Sequence, residues 1–351
     1  MSLPALAPAP ARLPTGPPPE ERPAAVAGRR RRPHRARVLA ALTLTLLVTL
    51  YAGLAGGIAL RRHQRLQSQA LDMGYAGQVT WNAMRGDGLR FTVFRGQVGA
   101  ERGQPLQFGP GADRDSLFAF HVELLFFPIS LLYRINAAPD TLIVLLTAVL
   151  ALGAVPVYRI ANHLLRHRGA ALAFSAMYLL TPSIQAANVA DFHAVSLTPT
   201  VLLLAFLFLI TRRDLPFCLC AAAAAAAKEE VGLLVGAMGL YAWLVQGRRR
   251  FGPAVAALAF AWVALCFLVI IPRFSGGAAS LFVDRYAEAG RLLRRFPAAL
   301  LAGRPVLPVP DYTLSYAANL LAGTGFLALF GPLQLALAAP LLAINLSLIH
   351  I

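Results

Sequence analysis

The sequence predicts an all-α, polytopic transmembrane helix bundle, on three observations. Of its 351 residues, 58% are hydrophobic and 14% charged, with a mean hydropathy of +0.62, whereas a soluble domain is about 45–50% apolar. The apolar residues gather in runs that can cross a hydrocarbon core ~30 Å thick at ~1.5 Å per helical residue. The charges sit in short arginine-rich clusters between those runs, so the formal charge of +16 points to membrane orientation and not to nucleic acid. Cys218, Cys220 and Cys266 all fall inside apolar runs, which excludes a disulfide framework and a thiolate metal cage.

Residues 1–37 are rich in Pro, Ala and Arg and carry eight arginines against Glu20 and Glu21; with no apolar periodicity they read as a disordered cytoplasmic tail. The apolar run 38–60 follows, and so long a leader makes it an uncleaved signal anchor. Residues 61–117 form an outward loop, longer than a connector needs. Further runs at 140–158, 169–185, 194–211, 215–227, 231–246, 253–272 and 319–348 bring the spans to eight. The stretch 117–132 is a ninth candidate, or lies along the interface with His121 and Glu123 at its polar edge. A second outward loop is expected at about 273–318, within a membrane domain that runs from 38 to 351.

Short arginine-bearing segments alternate with segments that lack them. Arg159, Arg166 and Arg168, then Arg212 and Arg213, then Arg248, Arg249 and Arg250 fall on the side of the basic tail, the cytoplasm. Arg61, Arg62 and Arg65 run against the pattern, as do the arginines of 273–318, but both groups belong to longer loops, where the rule is weaker. Lys228 is the single lysine among 32 basic residues; with abundant Ala, Gly and Pro this suggests a GC-rich bacterial genome, and hence a bacterial plasma membrane.

The outward side collects the unusual polar residues. Asp72 is placed to act as a general base on a hydroxyl, or is a helix cap or solvated loop acid. His121 and Glu123, two residues apart, share a face only on extended backbone, where they form a metal pair; on an interfacial helix they are its polar edge. In Asp191-Phe192-His193, the acid and the imidazole suit a divalent cation or a phosphate, or mark a solvated turn. Lys228-Glu229-Glu230 is the most unusual cluster, since ionisable groups at membrane depth default to function; Lys228 suits a phosphate as a point charge, and the alternative is an internally salt-bridged pair at a helix end. No nucleotide-binding or nucleophile-elbow pattern is present.

Taken as a set, these motifs resemble a known family. They are Leu71-Asp72-Met73-Gly74 with Gln78, Trp81 and Asn82; His121 opening an apolar segment that ends in Leu131-Leu132-Tyr133; Ala190-Asp191-Phe192-His193; and Lys228-Glu229-Glu230. In that order, over roughly 65–345, they resemble the bacterial membrane-protein family called domain of unknown function 2079. That family is similar to the GT-C superfamily of integral membrane glycosyltransferases. The resemblance implies a GT-C-like helix bundle with its active site on the outer face and a sugar donor carried on polyprenyl phosphate. It places the essential first-loop acid at Asp72, and maps the remaining motifs to His121, to Asp191 with His193, and to Lys228 with Glu229. Where the family often has aspartate after the lysine-glutamate pair, this chain has Glu230. The family continues past an Asn-Leu-Leu-Ser stretch, whereas this chain reads Asn345-Leu346-Ser347, departs from that pattern through Leu348-Ile349-His350-Ile351, and stops inside an apolar run; it is therefore expected to be truncated.

The function expected is an inverting transfer from a polyprenyl-phosphate-linked sugar to an extracytoplasmic acceptor. Asp72 takes the acceptor proton; Gln78, Trp81, Asn82, His193, Lys228, Glu229 and Glu230 hold substrate; and His121, Glu123 and Asp191 are ligands for Mg²⁺ or Mn²⁺. A secondary transporter with an Asp/Lys/Glu relay is the main rival, but transporters tend to show repeats and midplane sites. A non-catalytic envelope scaffold is the second rival; it would tolerate loss of Asp72.

Overall fold

The computed structural model describes residues 32–93, 108–277 and scattered positions between 318 and 338. The expected tail up to 31, the middle of the first outward loop, the second loop beyond 277, most of the 319–348 run and residues 346–351 lie outside the described residues. Two units are distinguished, Met1–Leu39 and Ala40–Ile351. Twelve α-helices are described: α1 (Arg32–Gln64), α2 (Ala70–Arg85), α3 (Phe126–Ser130), α4 (Pro139–Leu152), α5 (Ala154–Leu165), α6 (Arg168–Leu180), α7 (Pro182–Val189), α8 (Thr198–Ile210), α9 (Asp214–Ala225), α10 (Val231–Leu244), α11 (Phe251–Leu265) and α12 (Ile271–Phe274). Among the described residues there is no strand, only an isolated antiparallel bridge between Arg90 and Ser116.

Each apolar run that falls in the described part is helical, and the helices differ in reach. Three are long and apolar enough to cross a membrane: His34–Gln64, Pro139–Leu165 and Phe251–Phe274. Arg168–Leu180 and Pro182–Val189 form a further pair bent by 45°, because Pro182 cannot continue the amide ladder of α6. Ala194–Ile210, Asp214–Ala225 and Val231–Leu244 are apolar but shorter, being bounded by the polar turns Arg212-Arg213, Lys228-Glu229-Glu230 and Gln246-Gly247. Helix α1 begins at Arg32, so the last six residues of the expected tail are helical. The first outward loop likewise contains a four-turn helix, α2. The stretch 117–132 is not one helix: a 3₁₀ turn at Leu117–Ala119, irregular backbone through 123, then α3 and a 3₁₀ turn at Leu131–Arg134.

Close packing of α10 on α11 follows from small residues. A Cβ added at Gly239 would lie 2.6 Å from the Ala256 amide nitrogen, and one at Gly252 would lie 2.5 Å from that of Trp243. With Gly232 and Gly236 on the same contact, the two backbones approach as membrane helices do when small residues line their interface. The α4–α5 span breaks at Gly153, and its carbonyls are satisfied from neighbouring helices. The Tyr178 hydroxyl donates to Leu150 O (3.1 Å), Thr200 Oγ1 to Val149 O (2.7 Å) and Ser175 Oγ to Ala154 O (3.0 Å). Such repayment is what lets a helix break persist away from water. In the third span a π-helical turn, Cys266–Ile270, precedes Pro272, whose missing N–H interrupts the regular ladder.

Helices α8, α9, α10 and α11 are sequential neighbours joined by short turns and therefore run antiparallel. His193, just before α8, and the 226–230 turn between α9 and α10 thus lie at one end of this layer. The turns 211–213 and 245–250 lie at the other. The apolar core falls into two main clusters. One is built on α2, the 117–134 segment and α4, the other on α8, α9 and α10.

Candidate functional site

The first-loop acid sits in the opening turn of α2, where a carboxylate complements the positive end of the helix. The chain around 191 holds that helix in place. Asp191 Oδ2 accepts the N–H of Gln69, the N-cap residue of α2, at 2.8 Å; the Phe192 N–H meets Met73 Sδ at 3.4 Å; and the Phe192 ring is fully buried. His193 then places its Nε2 3.8 Å from Asp72 Oδ1, with both side chains partly open to solvent. The Asp-Phe-His motif is therefore a strap across the start of α2: Asp191 binds backbone, Phe192 fills the core, and His193 reaches the acid. Arg62 reinforces the same corner, donating to Val189 O (2.7 Å) at the end of α7 and to Gln67 O (3.1 Å). This structural duty accounts for one of the arginines that break the charge alternation.

Further along α2, Gln78 and Asn82 lie one turn apart and serve the returning chain. Gln78 Oε1 accepts the Thr92 N–H at 2.7 Å, and Asn82 Nδ2 donates to Arg90 O at 2.7 Å. The return is closed by the Arg90–Asp113 ion pair (2.9 Å) and by backbone bonds Phe91 N–Asp115 O and Leu117 N–Leu89 O. Both side chains thus spend hydrogen bonds on the polypeptide. Trp81, 42% exposed, presents its indole outward from the same helix.

The second part of the site is a buried charge cluster where 121–125 meets the turn after α9. Leu125 N donates to Ala226 O (2.9 Å), which brings the two segments together. Glu229, fully buried, has His121 Nδ1 2.9 Å from Oε1 and accepts the Val122 N–H at Oε2 (3.0 Å). Lys228 Nζ is 3.0 Å from Glu230 Oε1. Glu123 is 2% exposed, and its Oε2 has no hydrogen-bond partner among the described residues. These groups stand in turns, outside the three candidate spans. Burial pushes the Glu123 carboxyl up to about 7, against the pull of His121 and Lys228. Burial opposes the charge on Glu229 and on His121, yet their mutual attraction prevails: Glu229 is held below the usual carboxylate range and His121 above the usual imidazole value. Lys228 is likewise held above its ordinary value, burial being outweighed by Glu230 and Glu229.

Tyr75 packs beside the Asp72–His193 pair and was not among the residues singled out from sequence. One turn beyond Asp72, its ring packs against His193 (centroids 6.3 Å apart), Phe91 (6.0 Å) and Phe126 (6.5 Å). Burial raises its hydroxyl's pKa, and the charges of Glu123 and Asp72 raise it further. An aromatic at a buried helix position reads as core, and no sequence signal distinguishes this one.

The structure therefore unites Asp72, His193 and Tyr75, and separately His121, Glu229, Lys228, Glu230 and Glu123. His121 and Glu123 do lie on non-helical backbone, as a pair would require, but His121 turns to Glu229. Asp191 binds the Gln69 amide. Among the described residues no three His, Cys, Asp or Glu side chains come together as a metal site.

No curated protein and no solved structure matches the chain. Residues 62–351 match the family described as predicted membrane protein (DUF2079), and this match covers α2, the strap and the whole charge cluster. The chain belongs to that family of membrane proteins.

Proposed function

We propose that this membrane protein is a GT-C-type glycosyltransferase that moves a sugar from a polyprenyl-phosphate donor to an extracytoplasmic acceptor. The observation that carries the reading is the pairing of Asp72 with His193, partly open to solvent, in a chain that also buries a charge cluster containing Lys228 and Glu123. An acceptor hydroxyl attacks the anomeric carbon, its proton passes to Asp72, the bond from that carbon to the phosphate oxygen breaks, and the phosphate leaves on its lipid. His193 orients the acid that takes the proton. Lys228 is the cation at hand for the departing phosphate, and it reaches that phosphate by exchanging Glu230 for it. No step is routed through Mg²⁺ or Mn²⁺. In this reading the chain is a multi-pass protein of the bacterial plasma membrane with eight spans, the N-terminus in the cytoplasm and the site outside.

The rival with an observation of its own is a proton-coupled transporter, favoured by the chain of buried ionisable groups from Glu123 through His121 and Glu229. Lipid mass spectrometry on cells lacking the gene separates the two. A polyprenyl-phosphate sugar that accumulates in the deletion and clears on complementation supports the transferase, and unchanged lipid-linked sugars put the transporter first.

A further inference from the structure

The end of the helix layer opposite the candidate site is built as differently as its composition suggests. The turn between α8 and α9 carries Arg212 and Arg213, and the turn between α10 and α11 carries Arg248, Arg249 and Arg250. Against these five arginines the same two turns and the helix starts that follow them offer one carboxylate, Asp214. Arg248 joins the turns: its guanidinium pairs with Asp214 across the gap and lies 3.7 Å above the Phe251 ring. A further bond runs from Gln246 Nε2 to Leu209 O (3.2 Å). The two basic turns are therefore held side by side as one surface, and Arg212, Arg213, Arg249 and Arg250 are all exposed on it.

The surroundings of that surface point to its ligand. Just beyond the arginines the helix ends turn apolar and outward: Leu215 is 71% exposed, Leu244 70% and Trp243 43%. A rigid basic cluster bordered by exposed aliphatic side chains and an indole matches the layering of a bilayer, phosphate above and acyl chain below. A soluble anion would use the arginines and leave the leucines without purpose.

We propose that the paired 211–213 and 245–250 turns form a binding site for the phosphate headgroup of an anionic phospholipid. Arg212, Arg213, Arg249 and Arg250 contact the phosphates, Arg248 is the positioning residue that fixes the spacing between the turns, and the Trp243–Leu244 edge receives the first acyl carbons. The site is independent of the sugar-transfer reading and needs only that the chain sits in a membrane.

The test uses the full chain purified in detergent micelles and titrated with tetraoleoyl cardiolipin, dioleoylphosphatidylcholine or inorganic phosphate, bound lipid being counted by native mass spectrometry. Cardiolipin should bind selectively. Each arginine near an anionic headgroup accounts for about fivefold in affinity, so the double variants Arg212→Gln/Arg213→Gln and Arg249→Gln/Arg250→Gln should each weaken it by roughly 25-fold, whereas Arg134→Gln, in the 131–134 turn outside the basic cluster, should not. These four side chains are exposed, so the variants keep the fold, which is checked by an unchanged Tm without lipid. Equal binding of the two lipids, displacement by millimolar phosphate alone, or equal weakening by Arg134→Gln would overturn the proposal.

Discussion

Glu229 offers the sharpest test of the buried cluster. Its carboxylate engages His121 and the Val122 N–H from a position with no solvent exposure. Glu229→Ala removes the carboxylate that both His121 and the Val122 N–H engage, and breaking a buried charged pair this way costs about 3–5 kcal/mol. Glu229→Gln behaves differently. Its carbonyl still accepts from Val122, and its amide still reaches His121 if the imidazole turns an unprotonated Nδ1 toward it. What disappears is the charge on both bonds, about 2 kcal/mol from the difference between charged and neutral hydrogen bonds. The sign with pH follows from the two shifts. Glu229 is held below its ordinary 4.5, so its contribution is present above that value and fades as pH falls through the lowered one. His121 is held above its ordinary 6.5, so its contribution is full below that value and fades as pH rises through the raised one. The gap between wild type and Glu229→Gln, followed by thermal unfolding in micelles, should be widest between about 4.5 and 6.5 and narrow on both sides. A glutamine variant as unstable as the alanine one, or a gap that does not change with pH, would refute the assignment of the pair.

Three further outcomes follow from the same coordinates. Glu123→Gln mimics the protonated acid; because the folded state raises this carboxyl to about 7, wild-type stability should decline more than the variant's as pH rises through that value, beyond the His121-linked decline that both share. Thermal melts at pH 5 and 8 would show the variant ahead only at the higher one, and a parallel decline in both would count against it. Gly239→Leu drives a side chain into the α11 backbone at Ala256 and should cost at least about 1–3 kcal/mol, read as a lowered Tm; a neutral result would contradict the close crossing. Tyr178→Phe removes the donor to Leu150 O and should cost about 1 kcal/mol with little change elsewhere.

Much of the fold was legible because hydropathy and charge act over whole segments. The apolar runs are helices where they are described, and the arginines at 212–213 and 248–250 gather at one helix end as their alternation implied. The extent of each helix was less legible, since polar turns trim the runs after α8, α9 and α10 and Pro182 bends another. At the site, the sequence pointed to the right neighbourhood but not to the pairings. The Glu229–His121 contact spans 108 residues, and nothing in spacing selects Glu229 over Glu230 for it; the difference is that one carboxylate is aimed at the 121–123 backbone and the other at Lys228. Gln78, Asn82 and Asp191 looked like substrate or metal groups because polar residues near an apolar run stand out, yet each satisfies a main-chain group that only the folded path reveals. Tyr75 stayed hidden for the converse reason, as a partly buried aromatic that also carries a hydroxyl.

The most direct test of the central claim replaces Asp72 alone. Asp72→Asn preserves size and the contact with His193 but cannot take a proton, so the Tm should fall only slightly, by the loss of about 0.3–1 kcal/mol at the start of α2, while transfer stops. Cells lacking the gene would be complemented with each form at matched membrane levels, and their polyprenyl-phosphate sugars measured by mass spectrometry. The account predicts that wild type clears one accumulated lipid-linked sugar and Asp72→Asn leaves it in place; equal clearance by both would contradict a catalytic role for Asp72.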